Sequence, residues 1–124
     1  MTRQQIGQRG EDLAAKYLQA QGYTLIARNW HCQYGELDVV AQINAVLVFV
    51  EVKTRQTSEL RQGEEIAFAS ITPQKRDRVV KSVYCYLDEH GHDANTSWRV
   101  DVLTVSIRYD GWSKVNHVED AFDW

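Results

Sequence analysis

An acid and a lysine stand two residues apart at the end of an unbroken apolar run, Val46-Leu47-Val48-Phe49-Val50-Glu51-Val52-Lys53. Such a run reads as a strand buried on both faces. Charged groups rarely enter that setting unless they are paired, bound to metal or engaged in chemistry. A further pair of acids lies upstream in Gly35-Glu36-Leu37-Asp38. Side chains alternate along a strand, so Leu47, Phe49, Glu51 and Lys53 share one face, and Glu36, Asp38 and Val40 share one face of the preceding strand. If a hairpin aligns the two faces, Asp38, Glu51 and Lys53 converge. Two carboxylates would hold a hard cation, Mg²⁺ or Mn²⁺, which keeps waters and accepts phosphate oxygens. Such an ion lowers the pKa of a bound water and offsets charge developing on phosphorus. Lys53 would add a compact positive charge. The chemistry is metal-assisted phosphodiester hydrolysis. The plainer alternative is a salt-bridged strand end in which Glu51 and Lys53 pair only with each other.

The elements that must position these groups follow from pattern. Residues 4–21 read as an amphipathic helix with Ile6, Leu13, Ala14, Tyr17 and Leu18 on one arc, stopped at Gly22. Glu11 falls at the edge of that arc. On the helical wheel alone it reads as a solvated acid, although Gly7 and Gly10 beside it would let another segment approach closely. Tyr23–Trp30 reads as a strand, His31–Gly35 as a turn, Glu36–Gln42 as a second strand and Val46–Lys53 as a third. The short Ile43-Asn44-Ala45 connection makes the last two an antiparallel hairpin. Residues 54–72 read as a long polar loop with some order near Ile66–Phe68. Thr72 caps a helix opened by Pro73 and running to about His90. Gly91–Thr96 is a turn and Trp98–Tyr109 a strand, and Val115–Trp124 reads as a short strand or irregular tail. The expected order is α-β-β-β-α-β, an α/β mixed sheet with flanking helices.

The 124 residues fit one domain, spanning 1–124, and no apolar run approaches a membrane span. The beginning of the chain has no apolar signal region, so a cytoplasmic location is the default. Cys32 and Cys85 lie in no CxxC motif and read as two buried or free thiols. Net charge is −3. Residues 1–81 carry 11 Lys and Arg against 9 Asp and Glu, whereas residues 82–124 carry 3 against 8. A basic surface is therefore expected in the first two thirds. Lys75 and Arg76 open a helix, where N–H groups and cations favour phosphate. Arg55, just past the site, is a further candidate phosphate contact. Glu36 reads equally as an acid supporting the ion's ligands or as a surface acid. Arg99 and Asp101 share a strand face and would pair, and His117 reads as a packed or surface histidine.

Across nearly its whole length the chain resembles a known family. The motifs are Gly7-Gln8-Arg9-Gly10-Glu11-Asp12-Leu13-Ala14, Gly22-Tyr23, Asn29, Gly35-Glu36-Leu37-Asp38 and Phe49-Val50-Glu51-Val52-Lys53-Thr54-Arg55. They continue through Thr72-Pro73-Gln74-Lys75-Arg76, Arg99-Val100-Asp101-Val102 and His117-Val118-Glu119-Asp120-Ala121-Phe122. Together they resemble the YraN-like family of bacterial proteins. That family looks like the PD-(D/E)-x-K nuclease superfamily and is similar to the archaeal Holliday-junction resolvases within it. The resemblance implies a restriction-endonuclease-like core. It gives Asp38 and Glu51 the metal and Lys53 the water, and it lifts Glu11 into the catalytic set, because the resolvases carry a helix-borne glutamate in the matching place. Leu37 stands where the superfamily motif has proline. The expectation is a Mg-dependent DNA endonuclease acting on branched or recombination-type DNA, with a homodimer as the assembly that cuts two strands symmetrically. The alternatives are a non-catalytic nucleic-acid-binding module retaining the nuclease fold and an interaction adaptor using the acidic C-terminal third.

Overall fold

Thr2 closes a capping box with Gln5 and starts helix α1, Arg3–Ala20. Gly22, at φ 94°, ends the helix and turns the chain into β1, Thr24–Cys32. Strand β2, Gly35–Ile43, follows after a two-residue turn, and β3 runs from Val46 to Thr57. Asn44 and Ala45 between them both have positive φ, 48° and 66°. Two left-handed residues make a two-residue hairpin turn that matches the strand twist. Helix α2, Pro73–Glu89, begins with Pro73 in its first turn and Thr72 accepting from the Lys75 N–H. Strands β4, Trp98–Arg108, and β5, Ser113–Val118, complete the described elements. The computed structural model describes residues 1–60 and 71–122. The order expected near Ile66–Phe68 lies outside these residues.

The described strands form one mixed sheet in the order β1-β2-β3-β4-β5. β1, β2 and β3 pair antiparallel, β3 and β4 parallel, and β4 and β5 antiparallel. The parallel pair is joined by the segment that carries α2, as a crossover requires. β3 is central, which is why Leu47–Val50 are buried without alternation. The helices cover opposite faces. Ala14 and Leu18 of α1 pack on Val39, Val48, Val50, Leu103 and Ile107. Val79, Val83, Tyr86 and Leu87 of α2 pack on Leu37, Val40, Phe49, Val100 and Val102. The fold is α/β, and no described helix is long and apolar enough to cross a membrane.

Three expectations need correction. β3 does not end at Lys53: Thr54–Thr57 continue the ladder against Val105–Arg108 of β4. Polar residues stay in a strand here because a long neighbour supplies their backbone partners. The tail holds a defined fifth strand, so the order of described elements is α-β-β-β-α-β-β. The close approach at α1 occurs at Gly10 and not at Gly7, and it involves a side chain. A Cβ on Gly10 would collide with the Thr54 side chain, whereas one on Gly7 would meet nothing. Gly10→Ala is therefore expected to force α1 off β3 and cost about 1–3 kcal/mol. Gly7→Ala should be neutral or slightly stabilising. Urea midpoints of the two variants test the contrast.

Candidate active site

The strict alternation expected of β2 breaks where the acids lie. Leu37 and Val40 both pack toward α2, so their alternation slips by one residue between them. Directly across in β1, Ala27 and Trp30 do the same. Between them is Asn29, at φ 51°, a left-handed residue inside a strand. Asn tolerates that conformation better than most side chains. The β2–β3 ladder ends at Val39↔Val50. Just beyond it, the Asp38 carboxyl occupies a place that a backbone carbonyl would otherwise take, with Oδ2 accepting from the Val52 N–H at 2.8 Å. The Asp38 carboxyl thus meets the β3 backbone one residue from Glu51, at the point where the alternation of β2 slips.

Acids gather at this break from three elements. Ligand oxygens of Glu11 from α1 and of Glu36 and Asp38 from β2 all lie within 4.8 Å of one another. Glu51 of β3 adjoins them, its charge acting on Asp38. Loss of water, then the charge of Glu51, pushes Asp38 up to about 8, against the opposing Val52 N–H, and Glu11 and Glu36 add to the rise. Glu51 is also raised, first by burial, although Lys53 pulls it down.

Cations face these acids. Lys53 Nζ stands 3.5 Å from Glu51 Oε1, both side chains largely buried. A recess of about 170 Å³ lies over Glu36, Glu51 and Lys53 and is walled by Lys75 and Arg78 of α2. A second, of about 300 Å³, reaches from Glu11 and Gly7 past Lys53 to Arg55 and Lys75. Lys53 and Lys75 line both. The charge of Lys53, then desolvation, holds Lys75 below the usual ammonium range, with Glu51 opposing. Arg28 of β1 approaches Glu11 at 4.0 Å and bonds Asp12 at 2.9 Å.

Of the residues expected from sequence, Glu11, Asp38, Glu51 and Lys53 come together, with Arg55 and Lys75 at the rim. Arg76 does not line either recess. Its guanidinium lies 5.3 Å over the Phe122 ring. Arg78 takes the wall position instead, one helical turn beyond Lys75, a spacing the helix pattern alone could have offered. Glu36 belongs with the acids, while also lying 3.8 Å from His31. Arg99 and Asp101 do pair, and His117 is packed, in a separate network on the α1 face. Asp101 accepts from Arg99 Nε at 2.9 Å and from the Asp120 N–H at 2.9 Å. His117 Nε2 lies 2.7 Å from its other oxygen, and His117 Nδ1 lies 3.0 Å from the Tyr17 hydroxyl.

The donor set fits a hard divalent ion: oxygen-only, compact, and electrostatically unfavourable when every acid is ionised. Without an ion, the site should oppose folding as pH rises. Below about pH 4 Asp38 holds its proton folded or unfolded and contributes nothing. Between the unfolded value of 3.8 and the folded value of about 8, only the folded chain keeps the proton. Stability therefore falls through that window, by up to ~1.4 kcal/mol per pH unit and roughly 5 kcal/mol in total. Urea midpoints measured in chelator from pH 4 to 8 should decline more steeply for the wild type than for Asp38→Asn.

A family model described as Uncharacterised protein family UPF0102 matches residues 10–105. The chain is 42% identical over 106 residues to a UPF0102 protein of Chloroflexus aurantiacus, covering 86% of this chain and 82% of that one. It is 40% identical over 105 residues to one of Roseiflexus castenholzii, covering 85% and 82%. A UPF0102 protein of Geobacter sulfurreducens is 39% identical over 119 residues, with 95% and 88% covered. The matched span includes Glu11, Asp38, Glu51 and Lys53 with the helix and strands that carry them, and on that evidence the chain belongs to the UPF0102, or YraN-like, family.

Proposed function

We propose that this chain is a divalent-metal-dependent nuclease that hydrolyses DNA phosphodiesters, with branched or recombination-type DNA as the preferred substrate. The observation that carries the reading is the convergence of three carboxyls, Glu11, Glu36 and Asp38, beside the Glu51–Lys53 pair at a break in the sheet. Glu11, Glu36, Asp38 and Glu51 would hold the ion, Mg²⁺ or Mn²⁺. When bound, the ion supplies Lewis-acid charge and makes hydroxide available near neutral pH. The remaining roles belong to the chain. Glu51 keeps Lys53 at the acids, where its ammonium can meet a phosphate oxygen. Lys75 and Arg78 wall the recess from α2, and Arg55 extends the cationic edge along β3. Buried acids shifted upward beside lysines are the kind of pairing that active sites use. The restriction-endonuclease-like core implied by the motifs supports the same reading, and a homodimer would let one assembly cut two strands.

The test is a panel of Holliday-junction, flap and linear duplex DNA incubated with the protein and Mg²⁺ or Mn²⁺, with chelator as the control. Cleavage that needs the ion supports the reading. Binding without cleavage on every substrate, weakening steeply with salt, would replace it with the non-catalytic binding module.

A further inference from the structure

The two cysteines read from sequence as two buried or free thiols meet in the fold. Cys32 ends β1 and stands across the ladder from Gly35. Cys85 lies on α2 one turn beyond Ser82. The Cys32 thiol donates to Ser82 Oγ at 3.5 Å, and Ser82 in turn donates to the Arg78 carbonyl at 2.8 Å. Residues three apart on a helix share a face, so Cys85 is presented beside Ser82. Each thiol is in turn among the groups acting on the other. Neither is fully buried. A solvent-open groove of about 480 Å³, lined by Tyr34, Lys81, Tyr84 and Cys85, leads to Cys85.

We propose that Cys32 and Cys85 form a reversible disulfide that locks the β1–β2 turn onto α2 under hydroperoxide stress. The two sulfurs have different roles. Burial pushes the Cys32 thiol up, but Ser82 and the N–H groups of Tyr34 and Gly35 outweigh it and favour the thiolate. Burial and the neighbouring Cys32 raise Cys85, which stays a thiol. Cys32 is therefore the attacking sulfur. Its thiolate takes one oxygen from hydrogen peroxide: an S–O bond forms, the O–O bond breaks and hydroxide leaves. Cys85 then attacks that sulfur. The S–S bond forms, the S–O bond breaks, and the Cys85 proton ends on water. The sum is two thiols and one peroxide to one disulfide and two waters.

The bond would fall where the turn already rests on the helix. A Cβ on Gly35 would meet Ser82 Oγ at 3.6 Å. Gly35 and Glu36 edge the smaller recess opposite Arg78, so the tether would fix one lip of that recess against the other. The inference stands or falls independently of any nuclease activity.

The full chain, reduced and then exposed to hydrogen peroxide, should lose both free thiols together. Its mass should drop by two hydrogens with no added oxygen, it should remain monomeric on a non-reducing gel, and dithiothreitol should restore both thiols. The oxidised chain should melt higher, by roughly 5–10 °C. Cys85→Ser should trap Cys32 as a sulfenic acid that a dimedone probe labels. Persistence of both thiols, oxygen added to either cysteine of the wild type, a disulfide between two chains, or a lower melting point after oxidation would each overturn the proposal.

Discussion

Asp38→Asn is expected to lower ion-dependent DNA cleavage by more than ~100-fold while leaving the fold at least as stable at pH 8. Even residues that only support a metal ligand typically cost 10–100-fold when removed, and Asp38 is the acid on which the others centre. It shares the compact oxygen group with Glu11 and Glu36 and feels the charge of Glu51. Asn preserves shape and can still accept from the Val52 N–H through its carbonyl oxygen. It removes the charge whose burial pushes Asp38 up to about 8. The variant should therefore gain up to a few kcal/mol over the wild type in chelator at pH 8, and lose that advantage near pH 4. Activity and stability moving in opposite directions is the mark of a functional site that costs the fold stability. If activity and stability fall together, Asp38 is a structural residue.

Asp101→Ala should be the most destabilising single change in the described core, by about 3–5 kcal/mol. Asp101 is fully buried and satisfies Arg99, His117 and the Asp120 N–H at once. Arg99 also donates to the Tyr23 hydroxyl at 2.8 Å. Truncation would leave a largely buried guanidinium without its carboxylate, which is the expensive way to break a buried pair. It would also release the turn after β5. Burial pushes Asp101 up, but the bonds from His117, Arg99 and Asp120 outweigh it and hold the group below the usual carboxylate range. Its contribution is thus present above the unfolded value near pH 4 and fades as pH falls below it, opposite in sign to Asp38. Urea unfolding at neutral pH measures the loss, and a cost under ~1 kcal/mol would mean that the network is incidental.

Much of this was legible in the residues. Helical periodicity, the Thr72-Pro73 start, the continuous apolar run of β3 and the short Asn44-Ala45 connection all act locally, and each foretold its element. The hairpin register and the shared face of Glu51 and Lys53 were also foreseeable, whereas the local slip beside Asp38 was not. A left-handed Asn29 marks the point where the alternation of both β1 and β2 slips, and the Asp38 carboxyl lies at that slip. An Asn within an otherwise good strand was the available signal. Glu36 and Arg78 were harder to assign, because membership depends on which helix packs against which edge. Arg76 and Arg78 are two residues apart on one helix, and only the packing of Phe122 decides that the first is occupied. The extension of β3 past Lys53 was hidden because its polar residues are held by a neighbouring strand and not by their own pattern. The meeting of Cys32 with Cys85 likewise depends on tertiary packing between β1 and α2.

The central claim is that Glu11, Glu36, Asp38 and Glu51 together hold one divalent ion. Isothermal titration of the chain with Mn²⁺ near pH 7, repeated in buffers of different ionisation enthalpy, tests it most directly. One ion should bind per chain with release of about one proton, because Asp38, pushed up to about 8, still holds its proton near pH 7 and must give it up. Asp38→Asn should abolish both signals. Failure to bind, binding without proton release, or binding that survives in Asp38→Asn would contradict it.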